Sequence, residues 1–424
     1  MNKSSPPSAP ESRRRKAIHR SLWVMQWLLG IALVGAGVFK LSLSYDQAVE
    51  VFPWAADVPG LFRVTSVLDA LGGVGIVLPS LIRVLPRTTV VAAAGVVLLM
   101  LSSVVFYVLR GEAAEIAPNV AIGIAAAFVA WGRWRVVAIT GQLPLPEPMT
   151  EPLPAATPPA QMRLFQLPTG SYVTRGAFAV AGGTFGDQRK FASNAILITH
   201  PKGDLLIDAG FGANAEAHIE MLPTFRRAAH DIADSASIQL DAAGYDRQNL
   251  LGVLLTHSHW DHVSGLDSLA VPIWMTQAEE RYAVASKSDP VFQVVSAGHE
   301  IRRYTFDGPA YLGFPSSFDF YGDGSVVVVP AAGHTAGSII VFVTVPSGSR
   351  YAFIGDLTWQ LEGITRRLEK PLMMRILADS DSRQVRRDME RVIALQDRMR
   401  IVPAHDSGSY DGIPVLVPLV DGVK

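Results

Sequence analysis

Four long apolar runs occupy the first third of the chain, at about residues 22–39, 61–81, 88–109 and 118–134. Each approaches the roughly 20 residues that a helix needs to cross a bilayer core, and their number predicts four transmembrane helices rather than a cleaved leader. The texture then changes. The segment PLPEPMTEPLPAATPP holds seven prolines, which suit neither a helix interior nor a central strand and predict an extended linker. Beyond it, short apolar runs alternate with turns. Asn194 to Gly210 reads as two strands around a Pro-Lys-Gly-Asp turn, residues 215–250 as largely helical, and 250–255 as a buried strand. Val326 to Val329, 338–345 and 351–354 read as further strands. A helix over 382–399 carries Val385, Met389, Val392 and Leu395 at the spacing of a buried stripe. The expected organisation is a basic tail at 1–20, a helical bundle at 21–137, a proline-rich linker at 138–162 and an α+β domain at 163–424.

Composition agrees with a membrane portion, at 49% hydrophobic residues and a mean hydropathy of +0.26. A formal net charge of -1 gives no electrostatic case for nucleic acid. The absence of cysteine excludes disulfides, thiolate ligands and a cysteine nucleophile. Charge also orients the bundle. Arg13 to Lys16, Arg20, Arg83, Arg87, Arg133 and Arg135 mark one side, while Asp46, Glu50, Asp57, Glu112 and Glu115 mark the other. Basic loops stay inside, so both termini and the α+β domain are expected on the cytoplasmic face of the cell (inner) membrane. Two charges fall at the apolar runs themselves. Lys40 is expected to snorkel to the interface, and Asp69 to hold a structural hydrogen bond within the bundle or to have a task of its own.

Gly37-Val38-Phe39-Lys40-Leu41, Asp69-Ala70-Leu71-Gly72, Pro118-Asn119 and Gly132-Arg133 resemble the DoxX-like family of four-helix membrane proteins, over about residues 20–137. That resemblance implies a small bundle, linked in some members to quinone or redox systems, and transfers no defined chemistry. The glycines near Asp69 are read as sites of close helix approach.

The chemistry gathers in Thr256-His257-Ser258-His259-Trp260-Asp261-His262, directly after the buried strand at 250–255. Alternation along an extended chain puts His257 and His259 on one side, while Asp261 and His262 turn away toward a second position. One loop can thus serve two metal ions, and imidazole with carboxylate suits zinc, iron or manganese. The later motifs repeat this logic. His334 follows the valine strand, Asp356 follows the strand at 351–354, and His405 follows Ile401-Val402-Pro403-Ala404. His19, His200, His218, His230 and His299 have no such setting and are read as surface or core residues.

The ordered set of Asp208 in Asp208-Ala209-Gly210, the 257–262 cluster, His334, Asp356 and His405 resembles the metallo-β-lactamase superfamily, over about residues 165–415. The resemblance implies an αββα sandwich with two divalent ions at one edge. His257, His259 and His334 would hold the first ion, Asp261, His262 and His405 the second, and Asp356 would bridge them. Asp208 would orient ligands. Zinc is the expected metal, with iron or manganese as alternatives. Such a pair supplies hydroxide near neutral pH and polarises a carbonyl, and Asp261 can act as general base and acid.

Within the superfamily, GHTAGS, GDLTW and PAHD are similar to the lactonase-like branch. Only about 19 residues follow His405, too few for the helical substrate domain of glyoxalase II-like thioesterases. Where those lactonases tend to carry a tyrosine, three residues past the bridging aspartate, this chain has Trp359. It is expected to form an apolar wall of the pocket and to take no part in proton transfer. The expectation is a membrane-anchored binuclear hydrolase of a small carbonyl substrate such as an ester or lactone. Two other classes stay open: sulfur oxidation at a single iron coupled to the quinone pool, and a non-catalytic scaffold or sensor.

Overall fold

The computed structural model describes residues 9–82, 87–136 and 142–418. Arg83, the first eight residues of the basic tail, residue 137 of the bundle and 138–141 of the linker lie outside the described residues, as do the side chains of Arg13 to Lys16 and Arg87. The chain divides into two compact units, Met1–Gly141 and Gln142–Lys424.

In the first unit the long helices are Ala9–Ser42, Pro59–Ile82, Arg87–Leu109 and Ala117–Trp131. Four stretches, Ala17–Ser42, Pro59–Ile82, Thr88–Leu109 and Ala113–Val136, are long and apolar enough to cross a membrane. Their polarity is arranged inside out. Gln26, Ser66, Asp69, Ser80, Thr89 and Arg133 are buried, while Leu28, Ile31, Leu71, Leu98 and Ile124 face outward. In water that arrangement would expose a broad apolar surface; in lipid it keeps these six polar side chains inside the protein. Lys40 differs from the snorkelling expectation, because its Nζ turns inward to Asp69 Oδ2 at 2.9 Å. A buried carboxylate offers it a partner that the interface would not. Close helix approach is real at Gly73, where a Cβ would fall 2.9 Å from Gly30 O.

The second unit is built from twelve strands. They are β1 (Arg163–Arg175), β2 (Gln188–Thr199), β3 (Asp204–Ile207), β4 (His230–Ile232), β5 (Leu250–Leu254), β6 (Ile273–Met275) and β7 (Ile301–Arg303), then β8 (Phe318–Asp319), β9 (Val326–Pro330), β10 (Ile339–Thr344), β11 (Arg350–Phe353) and β12 (Arg400–Val402). One sheet has the order β4-β1-β2-β3-β5-β6-β7 and the other β12-β11-β10-β9-β8. Period-two alternation explains why the strands read as unbroken apolar runs. Ile196, Ile198, Leu205 and Ile207 of the first sheet meet Val326, Val328, Val341 and Val343 of the second in a core between the sheets. The alternate residues Leu197, Leu206 and Val253 pack outward on Ile219, Leu240 and Phe292. Val327, Val329, Ile340 and Phe342 pack outward on Val385, Met389 and Val392. The result is the αββα sandwich that was expected.

Residues 215–250 are less helical than their composition predicts. They hold two seven-residue helices, Ala215–Met221 and Ala236–Ala242, with β4 between them. Pro223 follows the first helix, and Tyr172 recruits His230 into an edge ladder, a long-range pairing with no local signal. The later helix ends at Leu395 rather than 399, and begins on Asp381, whose side chain accepts from Arg383 N and Gln384 N. The proline-rich segment is extended over 142–162 and lies along the sandwich. Its backbone meets the domain where Leu143 N donates to Arg367 O at 2.7 Å and Thr157 N to Asp323 O at 2.8 Å, and where Pro154 O accepts from Arg350 at 2.7 Å.

Met389 is fully buried between the 382–395 helix and the second sheet. Met389→Ala is therefore expected to destabilise this unit by about 2–5 kcal/mol, read as a lowered denaturant midpoint; a loss below about 0.5 kcal/mol, typical of surface sites, would show that the helix does not carry that core.

Candidate metal centre

Every chemistry-bearing segment leaves a strand at the same edge of the sandwich. β5 runs through Leu255 and Thr256 into His257 and His259, and the chain then turns into the short helix Trp260–Val263. Thr256 O accepts from Ile339 N at 3.0 Å, so the first sheet is bonded to the second right beside His257. β9 leads to His334, β11 to Asp356 and β12 to His405, and Ala404 N donates to Gly355 O at 3.1 Å. Gly355 has φ +50°, and a Cβ there would fall 3.1 Å from Thr256 Oγ1. Only glycine turns the chain there without strain or crowding.

The edge holds two groups of buried side chains, His257, His259, His334 and Asp356 in one, and Asp261, His262 and His405 in the other. The divergence of the 257–262 loop follows the extended-then-helical change in its backbone. In the first group His259 Nδ1 lies 3.1 Å from His257 Nε2 and 3.0 Å from His334 Nε2. Asp356 stands between the groups. Its Oδ2 faces His334 Nε2 at 3.3 Å and His257 Nε2 at 3.7 Å. Its Oδ1 faces His405 Nε2 at 3.0 Å and His262 Nε2 at 3.4 Å. The other described histidines stand outside both groups.

Four rings are anchored on the nitrogen that faces away from the centre. His262 Nδ1 meets Asp208 Oδ2 at 2.8 Å, His405 Nδ1 meets Ala192 O at 2.7 Å, His334 Nδ1 meets Asp379 Oδ1 at 3.0 Å, and His259 Nε2 meets the Tyr282 hydroxyl at 3.1 Å. Where the outer nitrogen donates to an oxygen acceptor, the inner one keeps its lone pair. Asp208 lies at φ +56° and also accepts from Thr256 N and Thr256 Oγ1, both at 2.7 Å. Burial and the surrounding imidazoles hold His257 and His259 well below the ordinary imidazole range. Burial opposes charge at Asp356, but His405 and His257 outweigh it and keep its carboxyl well below the usual range. Burial likewise opposes charge at His262, and Asp208 with Asp356 overcomes it.

These groups fit divalent cations. His262 Nε2, His405 Nε2 and Asp356 Oδ1 are buried and face one another at 3.0–3.4 Å without forming a proper hydrogen bond, a costly state for polar atoms unless a cation completes them. The converging imidazole nitrogens and carboxylates are also the donor set that zinc, iron and manganese share.

Trp359 differs from a wall residue with a free N–H. Its Nε1 donates to Asp356 Oδ2 at 2.8 Å, and its ring is buried against Phe191. The carboxylate outcompetes an open pocket as partner for the indole, because a charged acceptor makes the stronger bond. Several neighbours had no motif to reveal them. The Tyr172 hydroxyl donates to Asp261 Oδ2 at 2.9 Å; burial and then Asp261 push that phenol well above its ordinary range, so it stays a donor. Glu279 joins two of the loops, its Oε1 accepting from Ser258 N at 2.7 Å and its Oε2 from Thr335 Oγ1 at 2.6 Å. These residues come from segments remote in sequence, and only the fold assembles them.

Two curated relatives, each named a "probable metallo-hydrolase", from Mycobacterium bovis and Mycobacterium tuberculosis, are 29% identical over 236 residues, covering 51% of this chain and 75% of theirs. Among solved structures, one from work on how mutations optimise a new enzyme function shares the fold at 16% identity, covering 61% of this chain and 97% of that one with a TM-score of 0.50. An N-acyl homoserine lactone hydrolase with N-hexanoyl-L-homoserine bound at its catalytic metal center aligns at 15% identity over 62% of this chain and 98% of that one, with a TM-score of 0.49. Residues 24–129 match the model of the DoxX-like family. Residues 189–405, just over half of the chain, match the model of the metallo-beta-lactamase superfamily, and to that superfamily the chain belongs.

Proposed function

We propose that this metal-dependent hydrolase works through a binuclear centre, with His257, His259 and His334 on one ion, Asp261, His262 and His405 on the other, and Asp356 shared. The division of the Asp356 oxygens between the two imidazole groups carries this reading. Zinc is the proposed metal. Divalent ions held in this way supply Lewis acidity and water activated near neutral pH.

The protein's own residues do the rest. Asp356 fixes the spacing of the two positions, and Asp208 sets the ring of His262. Asp261 is steered by the Tyr172 hydroxyl at one carboxylate oxygen and by Ser193 Oγ at its backbone carbonyl, 2.9 Å away; a carboxylate held there can accept a proton and return it. Trp359 has its only donor committed to Asp356, so it acts on the centre rather than on a substrate carbonyl. The proposed substrate is a small ester or lactone, on the likeness of the GHTAGS, GDLTW and PAHD segments to lactonase-like members. The arginine asymmetry of the loops supports a cytoplasmic hydrolase domain on an inner-membrane bundle.

The purified full chain is expected to carry about two metal ions, counted by elemental analysis, and fewer than half an ion per chain would overturn the binuclear reading. Asp356→Ala and His262→Ala should each lower ester or lactone hydrolysis by about a thousandfold or more, on the order of 4 kcal/mol, with unchanged recovery in the membrane fraction. Activity within tenfold of wild type in either variant would remove that residue from the centre. Trp359→Phe keeps the ring but deletes the N–H on Asp356, so kcat should fall about tenfold, near 1.4 kcal/mol, with little change in KM. A raised KM at unchanged kcat would restore the pocket-wall role.

A further inference from the structure

Lys370 is 2% exposed and belongs to none of the metal-ligating groups, yet it lies directly behind the first of them. Its Nζ is 2.6 Å from Asp379 Oδ1 and 3.0 Å from His334 Nδ1, and it stands 4.9 Å from the centre of the Trp359 ring. Asp379 in turn takes the outer nitrogen of His334, and the Trp359 N–H takes Asp356 Oδ2. One buried ammonium therefore touches the two side chains that orient His334 and Asp356.

Stability alone does not call for such a pair. A buried lysine and aspartate both lose their water, and an apolar pair of similar volume commonly serves a core as well or better. The backbone of this segment is also secured independently, since Ser380 N donates to His334 O at 3.0 Å and Asp381 N to Gly333 O at 2.8 Å. What those bonds leave undetermined is the rotation of the Asp379 carboxylate. The ammonium fixes it by holding Oδ1 at 2.6 Å, where that oxygen stands 3.0 Å from His334 Nδ1. On its other side the cation lies near the π face of Trp359, an attractive contact, and so steadies the indole whose N–H anchors Asp356.

We propose that Lys370 is a positioning residue for the first metal position, acting through Asp379 on His334 and through Trp359 on Asp356 Oδ2, the oxygen that faces the first group. The inference rests on the reading of His334 and Asp356 as ligands. It makes the two positions unequal: the first depends on a buried ion pair, whereas the second depends on Asp208 and a backbone carbonyl.

The test is a zinc titration of the full chain against a competing chelator, with elemental analysis of the ions retained, for wild type, Lys370→Met and Asp379→Asn. Lys370→Met keeps the volume without the charge, and Asp379→Asn keeps an acceptor without the ion pair. Both should weaken the tighter or looser of the two zinc sites, the same one in each variant, by about 10–100-fold and leave the other within about twofold. The site affected should be the one that His334→Ala abolishes. Equal affinities in wild type and both variants would overturn the inference while leaving the centre intact. Equal weakening of both sites, or loss of the folded domain in both variants, would overturn it as well by making the pair a general structural element. A wild-type chain that binds no zinc would sink the centre and this inference together.

Discussion

The demand that a buried carboxylate be met by positive charge or donors from more than one side governs the hydrolase unit. Asp356 lies 6% exposed among four imidazoles, two facing each of its oxygens. The two sheets must end together for the groups around it to meet. That explains why the tips of β5, β9, β11 and β12 converge, and why Thr256 and Ile339 bond one sheet to the other at this edge. A core of branched aliphatics between the sheets holds the convergence rigid, since close-packed interiors transmit small displacements rather than absorbing them.

The membrane unit meets the same demand in another solvent. Asp69 is buried and takes Lys40 as its partner, and Arg133 donates to Gln26 Oε1 at 2.7 Å while Gln26 reaches Ile76 O. In both units buried polar side chains are held by polar neighbours. They differ in what covers them: aliphatic sheets and helices in one, outward-facing leucine and isoleucine in the other.

How much was legible in the sequence follows from where each signal resides. The seven side chains of the two groups each sit within seven residues past an apolar run, so run and tip can be read together. Strands buried on both faces were also visible, because Val326 to Val329 needs no alternation when every residue is covered. The supporting residues were not visible. Lys370, Asp379, Glu279 and Tyr172 look like ordinary polar positions until chain segments far apart meet. β4 was hidden for the same reason, as His230, Asp231 and Ile232 became a strand only because Tyr172 and its neighbours offered an open edge. Lys40 misled because snorkelling is a property of an isolated helix, and a second helix changed its best partner.

The order in which these strands follow one another has a kinetic side. β12 pairs in parallel with β11, and a parallel neighbour needs an intervening crossover, here through the 382–395 helix. His405 thus reaches the centre only through a non-local pairing, whereas His257 to His262 lie on one short loop. Non-local pairings of this kind are slow steps in folding. Both groups of side chains are therefore complete only when the whole sandwich has closed, so the geometry at this edge is a property of the finished fold and of no single segment.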